Sequence, residues 1–297
     1  MKKQAAIRAW TLSSTLTGLV ILATGACSTG RRPTPTTPLS APHHDSLPVA
    51  SATGWTPRFS PGKWQYLIHD SSTISMTNDT TGYVEPIEST TIYTLSIADS
   101  GNVFALISRV DSVAVNSRLP MRKFGDMTTP VELHGVLSRQ GHFTTTGGGA
   151  STTCTGASIS PATRLQELLI TLPMGALRPG DKWSDTSSTT ICHGKIPLTQ
   201  TLVRNYELME GWTCQPGAVQ VRRTVSDSLT GSSVETNNHL GASGVGTATS
   251  ILCLDRNTGV LLESNSQSHL ELTVTTSRGK FPFTQNTITH IESIDKS

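Results

Sequence analysis

Charged and aromatic residues are both scarce in this sequence. Of its 297 residues only 15% are Asp, Glu, Lys or Arg and 5% are aromatic, and the formal net charge is +2. An average soluble domain carries about 25% charged residues. No basic cluster occurs, and phosphate binding needs concentrated Lys and Arg, so nucleic acid is excluded as a partner. The same composition excludes a coiled coil and a charge-rich disordered chain.

Recognisable catalytic motifs are also missing. The sequence contains no His-Glu-x-x-His, no P-loop and no Gly-x-Gly-x-x-Gly. Residues 241–246 fail the Gly-x-Ser-x-Gly pattern of a nucleophile elbow because position 245 is Val. We therefore predict no catalytic residues, no cofactor and a protein that is not an enzyme, with a hydrolase as the remaining alternative.

The histidines have no helical metal-ligand spacing, and we expect them on strand surfaces rather than around a metal ion. Six of those in the body of the sequence are His134, His142, His193, His239, His269 and His290. His43 and His44 precede Asp45 in a proline-rich stretch, where we expect a solvated linker. The sequence thus predicts no metal site.

The first 26 residues have the layout of an export signal. Lys2, Lys3 and Arg8 form a basic start, and residues 9–22 follow without a charge. Fourteen residues would span only about 21 Å as a helix, which is short of the roughly 30 Å hydrocarbon core. This length is typical of a signal-peptide core. No second apolar run of 18 residues occurs, so we expect no other membrane span.

Small residues lead from this segment into a cysteine. Ala23-Thr24-Gly25-Ala26-Cys27 resembles the lipobox of bacterial lipoproteins, with Thr24 in place of the usual Leu. The resemblance implies cleavage before Cys27, acylation of its thiol and a membrane anchor in the cell envelope. In this lipoprotein family the residue after the acylated cysteine directs sorting. Ser28 rather than Asp at that position implies the outer membrane in a bacterium with two membranes. An ordinary secretory signal cut near Ala26 is the alternative.

Residues 27–54 predict a lipidated tether. The stretch is rich in Pro, Thr and Ser, and it cannot bury enough apolar area to offset the entropy of ordering. We expect it to hold the following domain away from the bilayer, and we place that domain at residues 55–297.

Hydroxyl side chains are abundant, with 35 Ser and 45 Thr, and apolar residues alternate with them in the domain. Tyr93, Leu95 and Ile97 fall on one face of a predicted strand, and so do Val219 and Val221 in a later one. Leu270, Leu272 and Val274 form a third alternating set. Residues 99–102 and 256–259 are turn signals. The only good helix candidate begins at Ser160 as cap and Pro161 as first residue, and runs to Ile170.

An internal repeat predicts two similar halves, at about 55–150 and 175–297. The stretch from Pro61 to Trp64 recurs from Pro179 to Trp183, and residues 101–112 align with 217–228, at offsets of 118 and 116. We expect each half to be an antiparallel meander of about five strands. The fold class is therefore mainly β, a curved or half-barrel sheet made of two meander halves with one short helix near 161–170.

The cysteines fit a disulfide framework, since Cys27 would be acylated and four would remain. Four cysteines allow three pairings. The meander places Cys214 and Cys253 at the same edge of the sheet, which favours that pair and leaves Cys154 with Cys192. A four-cysteine zinc site is the alternative, but no Cys-x-x-Cys occurs.

Two pairs of residues occupy matched positions in the repeat. Trp64 and Trp183 each follow Pro-Gly, and we expect them to pack near strand starts, with ligand stacking as the alternative. They are the only candidate ligand-binding residues. Asp111 and Asp227 could do acid–base work as paired carboxylates. We expect them instead at strand ends, paired with turns.

The stretch from Leu172 to Trp183 resembles one that recurs in β-rich bacterial secreted lipoproteins of unknown function. That resemblance implies a β domain and supplies no catalytic residues. At the level of fold alone, the domain is similar to periplasmic lipoprotein carriers and lipid-carrying lipoproteins, whose half-open barrels shelter acyl chains. We therefore predict a binding domain for an apolar or amphipathic ligand. The alternative is an assembly lipoprotein that contacts other envelope proteins through its sheet surface.

Overall fold

The structure is a computed structural model that describes residues 54–78, 81–117, 131–146, 161–193, 196–210, 214–235, 238–277 and 279–294. The predicted signal segment, most of the tether and both Cys27 and Cys154 lie outside these ranges. The predictions made for them stay predictions.

Eleven strands and one helix make up the described chain, of which 76% is strand. Long runs of alternating apolar and hydroxyl residues form the strands, because the period of two places one set on each face. The bounds are β1 Gly62–Asn78, β2 Thr81–Ser100, β3 Val103–Ser117, β4 Val131–Ser138, β5 Phe143–Thr145, α1 Pro161–Leu168, β6 Lys182–His193, β7 Ile196–Leu208, β8 Ala218–Glu235, β9 Asn238–Asp255, β10 Leu261–Thr276 and β11 Gly279–Ser293.

All strands belong to one antiparallel sheet in the order β5-β4-β3-β2-β1-β11-β10-β9-β8-β7-β6. Each half of the chain is a meander, and the two meanders join where β1 pairs with β11, with Ile68 opposite Ile291. The sheet is open, with β5 and β6 at its two edges. The predicted fold class is therefore confirmed, with five strands in the first half and six in the second.

The sheet curves strongly around α1. The helix contacts β3 and β4, while Arg223 on β8 donates to backbone carbonyls of the helix. β3 and β8 are six positions apart in the sheet, which is about 29 Å at the usual spacing between strands. One helix, about 10 Å wide, can contact both only if the sheet wraps around it. We call the face that surrounds α1 the inner face.

The predicted strand patterns are confirmed. Tyr93, Leu95 and Ile97 are all buried on the inner face of β2. A bulge interrupts the pairing of β2 with β3, since Ile92 lies opposite Ser112 but Tyr93 lies opposite Val110. Asp111 is therefore the extra residue of the bulge, in the middle of a strand.

The two predicted turns join strands as expected. Gly101 connects β2 to β3 with φ of 76°, and Gly217 precedes β8 with φ of 80°. These glycines are the matched positions of the repeat, and both have the left-handed backbone that Gly adopts at little cost. Residues 256–259 connect β9 to β10, where Asp255 accepts from the amides of Asn257 and Thr258.

The helix begins at Pro161 as predicted and ends at Leu168, two residues before the expected Ile170. The chain then crosses the inner face without regular structure. Leu172 donates its amide to Gln140 O over 2.7 Å, and Leu177 pairs with Trp55 through two backbone hydrogen bonds. These bonds replace the helical ones and fix the crossing segment against the β4–β5 turn and the chain before β1.

Cys214 and Cys253 form a disulfide, the pairing that the meander favours. Their Cα atoms are 6.0 Å apart, within the usual range for a disulfide. Cys192 lies in β6, and its expected bond to Cys154 stays a prediction. In the ranges given above, no helix is both long and apolar enough to cross a membrane.

Candidate functional site

The inner face is divided into three zones along the strands. The first apolar cluster surrounds α1 and the crossing segment, and it includes Tyr66, Tyr93, Phe104, Leu137 and Val221. Next comes a polar band of buried side chains, and beyond it lies a second apolar cluster. The polar band consists of Asp70, Ser89, Thr91, Gln200, Arg223, Asp227, Ser250, Ser264, Ser266, Ser268, Gln285, Thr287 and Thr289. The second apolar cluster consists of Leu198, Leu229, Ala242, Leu270, Leu272 and Val274, with Leu240 and Phe283 at its margin.

One side of the polar band is neutralised by α1. Arg164 is fully buried and donates to Asp70 over 2.5 Å and to Glu167 over 2.8 Å. Asp70 also accepts hydrogen bonds from Ser89 and Thr289, on the two strands that flank β1. A buried guanidinium needs such partners because an unpaired charge in the interior is very costly.

The two carboxyl groups of this network have opposite pKa shifts. Burial alone would raise the pKa of Asp70, but Arg164 and the hydrogen bonds from Thr289 and Ser89 hold it below its usual value. Burial raises the pKa of Glu167, and Arg164 only partly offsets that effect. The network is therefore an ion pair between Arg164 and Asp70, to which Glu167 adds a weaker partner.

Arg223 anchors the other side of the helix. Its guanidinium donates to the carbonyls of Gln166 and Glu167, over 3.4 and 3.1 Å, and to Ser250 on β9. The last carbonyls of a helix lack partners within the helix and carry partial negative charge. Burial lowers the pKa of Arg223. These bonds to the helix carbonyls explain why a charged Arg223 is buried on the inner face.

The start of β6 is held by a second polar network. The indole N–H of Trp183 donates to Thr171 O over 2.7 Å, and its ring stacks on Tyr206 with centroids 5.3 Å apart. On the same face Arg204 donates to Asp185 over 2.7 Å, and Asp185 also accepts from the Thr171 hydroxyl. These bonds tie the crossing segment to the edge strand.

Gln200 and Asp227 lie farther along β7 and β8 than Arg223, which contacts α1. Both are on the inner face, and they are only 3% and 7% exposed. Gln200 Nε2 donates to Asp227 Oδ2 over 2.9 Å. Within the described ranges, Gln200 Oε1 and Asp227 Oδ1 have no hydrogen-bond partner. The pair therefore presents two unused acceptor oxygens in a buried setting, and such groups are rare and costly.

Burial raises the pKa of Asp227 to about 6. Hydrogen bonds from Gln200 and the Ser228 amide lower this pKa, but by less than burial raises it. A carboxylate with a raised pKa and an unused oxygen lacks the compensation that Arg164 gives to Asp70. Such uncompensated groups are typical of functional positions.

The second apolar cluster begins directly beside this pair. Gln200 lies opposite Leu229 in the register of β7 and β8, and Leu198 lies opposite Gly231. Gly244 on β9 lies against β10, where an added Cβ would come within 2.5 Å of Glu271 O. The small residue lets these strands approach closely. Polar acceptors and aliphatic side chains thus adjoin on one surface.

The predicted ligand-binding candidates lie elsewhere. Trp64 is the third residue of β1 and is partly buried against the first apolar cluster, and Trp183 is the second residue of β6. Both pack near strand starts on the inner face, as the repeat predicts. They are far along the strands from Gln200 and Asp227, so the structure does not bring them to the candidate site.

The aspartate prediction was wrong in its location. Asp111 and Asp227 lie in the middle of β3 and β8 rather than at strand ends. Asp111 accepts from Arg109 and Thr94, both over 2.5 Å. The repeat identified Asp227 as a matched position, but the partner Gln200 had no signal of its own, because the pairing depends on register between strands.

The outer face carries polar pairs that do not form a site. His69 bonds Thr90, His290 bonds Asn265, and His269 bonds Asn286. No group of three or more His, Cys, Asp or Glu residues that could hold a metal ion occurs among the described residues.

No protein-family model matches this chain, and no curated protein matches it. Among solved structures, Pseudomonas aeruginosa OpdQ is 8% identical, with 80% of this chain and 100% of that chain covered and a TM-score of 0.27. DynF from the dynemicin biosynthesis pathway of Micromonospora chersina is 9% identical, covering 93% and 95%, with a TM-score of 0.25. A BenF-like porin from Pseudomonas fluorescens Pf-5 is 12% identical, covering 80% and 100%, with a TM-score of 0.22. These similarities are too weak to assign a fold family or a function to this chain.

Proposed function

We propose that this chain is a cell-envelope lipoprotein, anchored through Cys27, whose inner sheet face binds an amphipathic ligand without catalysis. The observation that carries the proposal is the order of zones on that face. A buried polar band adjoins an apolar cluster that is separate from the core around α1. An amphipathic molecule matches this order, because its apolar part suits the second apolar cluster and its polar part suits the band.

The anchor and the ligand are tested separately. Metabolic labelling with an alkynyl fatty acid should label the wild-type chain, and Cys27→Ala should remove the label. In a bacterium with two membranes, Ser28→Asp should move the labelled protein from the outer to the inner membrane. A label that persists in Cys27→Ala would overturn the anchor.

For the ligand, the mature chain carrying Cys27→Ala is exported by an ordinary secretory signal and purified without detergent. Native mass spectrometry should then detect a bound amphiphile, or uptake of added monolaurin. Leu272→Ala, in the second apolar cluster, should weaken uptake. The matched control is Val245→Ala on the neighbouring strand, because Val245 is 60% exposed. A homogeneous mass with no uptake by any of these proteins would overturn the proposal.

A second candidate function is assembly with other envelope proteins through β6. This strand pairs along its whole length with β7 and forms one edge of the sheet. A 12-residue edge offers backbone groups that a partner strand can bind. A photocrosslinker at exposed Ser188 should capture an envelope protein in cells if this function holds, and recovery of no adduct would count against it.

A further inference from the structure

The Gln200–Asp227 pair carries an inference about the ligand's headgroup, and it rests on the proposed function. Both side chains belong to the inner face, next to the second apolar cluster. Their mutual hydrogen bond uses one N–H of Gln200 Nε2 and leaves two acceptors, Gln200 Oε1 and Asp227 Oδ1, without partners in the described chain. The two acceptors belong to one hydrogen-bonded pair, and both are buried.

The neighbouring cations are engaged elsewhere. Arg204, on the strand of Gln200, is bound to Asp185, and Arg223, on the strand of Asp227, is bound to helix carbonyls. Among the described residues, Asp227 bonds to Gln200 and to the Ser228 amide and to neither arginine. The pair therefore offers two unused acceptors and a negative charge, against one remaining N–H of the Gln200 amide.

We propose that Gln200 and Asp227 form a headgroup subsite that selects amphiphiles carrying hydrogen-bond donors, either hydroxyl or ammonium, over amphiphiles with a carboxylate head. A donor head completes the two unused acceptors. A carboxylate head has no donor for either acceptor and would place its charge beside the Asp227 carboxylate, so it should bind less tightly.

The test compares amphiphiles that share one chain length. The mature chain carrying Cys27→Ala is titrated with monolaurin, dodecylamine, dodecyltrimethylammonium and laurate below their micelle concentrations, at pH 7.5, by calorimetry. We expect monolaurin and dodecylamine to bind at least about tenfold more tightly than laurate. Dodecyltrimethylammonium, a cation without N–H groups, should bind more weakly than dodecylamine.

Two variants assign the preference to the pair. Asp227→Asn and Gln200→Met should reduce the preference to within about twofold, while thermal unfolding shows that each is folded. The matched control is Asp111→Asn, at the equivalent repeat position, whose oxygens are bound by Arg109 and Thr94. The control should keep the full preference.

The outcomes separate this inference from the function on which it rests. If all four amphiphiles bind equally, or if Asp227→Asn and Gln200→Met keep the preference, the headgroup subsite is overturned and amphiphile binding stands. If dodecyltrimethylammonium binds as tightly as dodecylamine, charge rather than donation governs, and the subsite is again overturned. If none of the four binds to the wild-type domain, the proposed function itself fails.

Discussion

Arg164 Nη2 and Asp70 Oδ2 are 2.5 Å apart although the two residues are separated by 94 positions in the chain. Arg164 belongs to the helix that follows the first meander, and Asp70 belongs to β1, the strand that joins both meanders. The two side chains are 0% and 4% exposed. This ion pair therefore fixes α1 on the inner face at the centre of the sheet, and it keeps the helix over the first apolar cluster.

Removing one member of this pair should be strongly destabilising. Asp70→Asn leaves the Arg164 guanidinium buried with a single weaker partner, and breaking a buried ion pair in this way costs about 3–5 kcal/mol. Urea unfolding followed by tryptophan fluorescence measures the change in the free energy of unfolding. The double variant Asp70→Leu with Arg164→Leu should cost less than Asp70→Asn, because no unpaired charge remains.

The matched control for this prediction is Asp99→Asn. Asp99 pairs with Arg139 at the surface, where the side chains are 54% and 42% exposed. Exposed ion pairs contribute only about 0–1 kcal/mol. Equal losses for Asp70→Asn and Asp99→Asn would contradict the assigned role of the buried pair.

Asp227→Asn should stabilise the folded protein at neutral pH. Burial raises the pKa of Asp227 from 3.8 to about 6, so ionisation is harder in the folded state than in the unfolded one. The free energy of unfolding of the wild type therefore falls as the pH rises from about 4 to about 6. A pKa difference of this size corresponds to a change of at most about 3 kcal/mol in the free energy of unfolding. Asn does not ionise, so we expect a gain of about 1–3 kcal/mol at pH 7.5.

The pH dependence identifies the cause of that gain. Thermal and urea unfolding at several pH values should show the difference between Asp227→Asn and wild type shrinking below pH 6 and vanishing near pH 4. Asp111→Asn serves as the comparison and should destabilise, since it weakens the bonds from Arg109 and Thr94. A difference for Asp227→Asn that stays constant with pH would show that ionisation is not its cause.

The strand architecture could be predicted because each strand buries one face. Alternation places Tyr93, Leu95 and Ile97 together whatever the neighbouring strands are, and the glycines at 101 and 217 mark turns on local grounds. Helix onset was equally local, since Pro161 suits the first helical turn. The one-residue bulge at Asp111 left no local signal. Asp111 is mid-strand rather than at the expected strand end because β3 continues past it to Ser117.

The candidate site could not be predicted because it depends on register and curvature. Gln200 meets Asp227 only because β7 and β8 pair in one particular register. Arg164 meets Asp70 only because the sheet wraps around α1. The sequence analysis selected the tryptophans because aromatic residues at matched repeat positions are easy to notice. In the structure Trp183 stacks on Tyr206.

Loss of the Cys214–Cys253 bond should lower stability without removing the fold. The disulfide closes a loop with a sequence separation of 39, and the chain-entropy model assigns about 4 kcal/mol to such a loop. Cys214→Ala with Cys253→Ala should lower the midpoint of urea unfolding accordingly, while circular dichroism retains the β-sheet signal. Unchanged stability in the double variant would show that the bond constrains little in the unfolded chain.

Gly141 is the position where an added methyl group should cost most. Its φ is +87°, and a Cβ there would lie 2.3 Å from Ile170 O and 2.8 Å from the Phe59 ring. Gly101 provides the control, because its φ is +76° and nothing lies within 4 Å of its Cβ position. Gly101→Ala should therefore cost about 1–2 kcal/mol, from the left-handed backbone alone. Gly141→Ala carries the same backbone cost and must also displace the crossing segment at Ile170, so we expect a total of about 3 kcal/mol or more by urea unfolding. Equal costs at the two glycines would mean that the crossing segment yields freely and does not anchor α1 to the sheet.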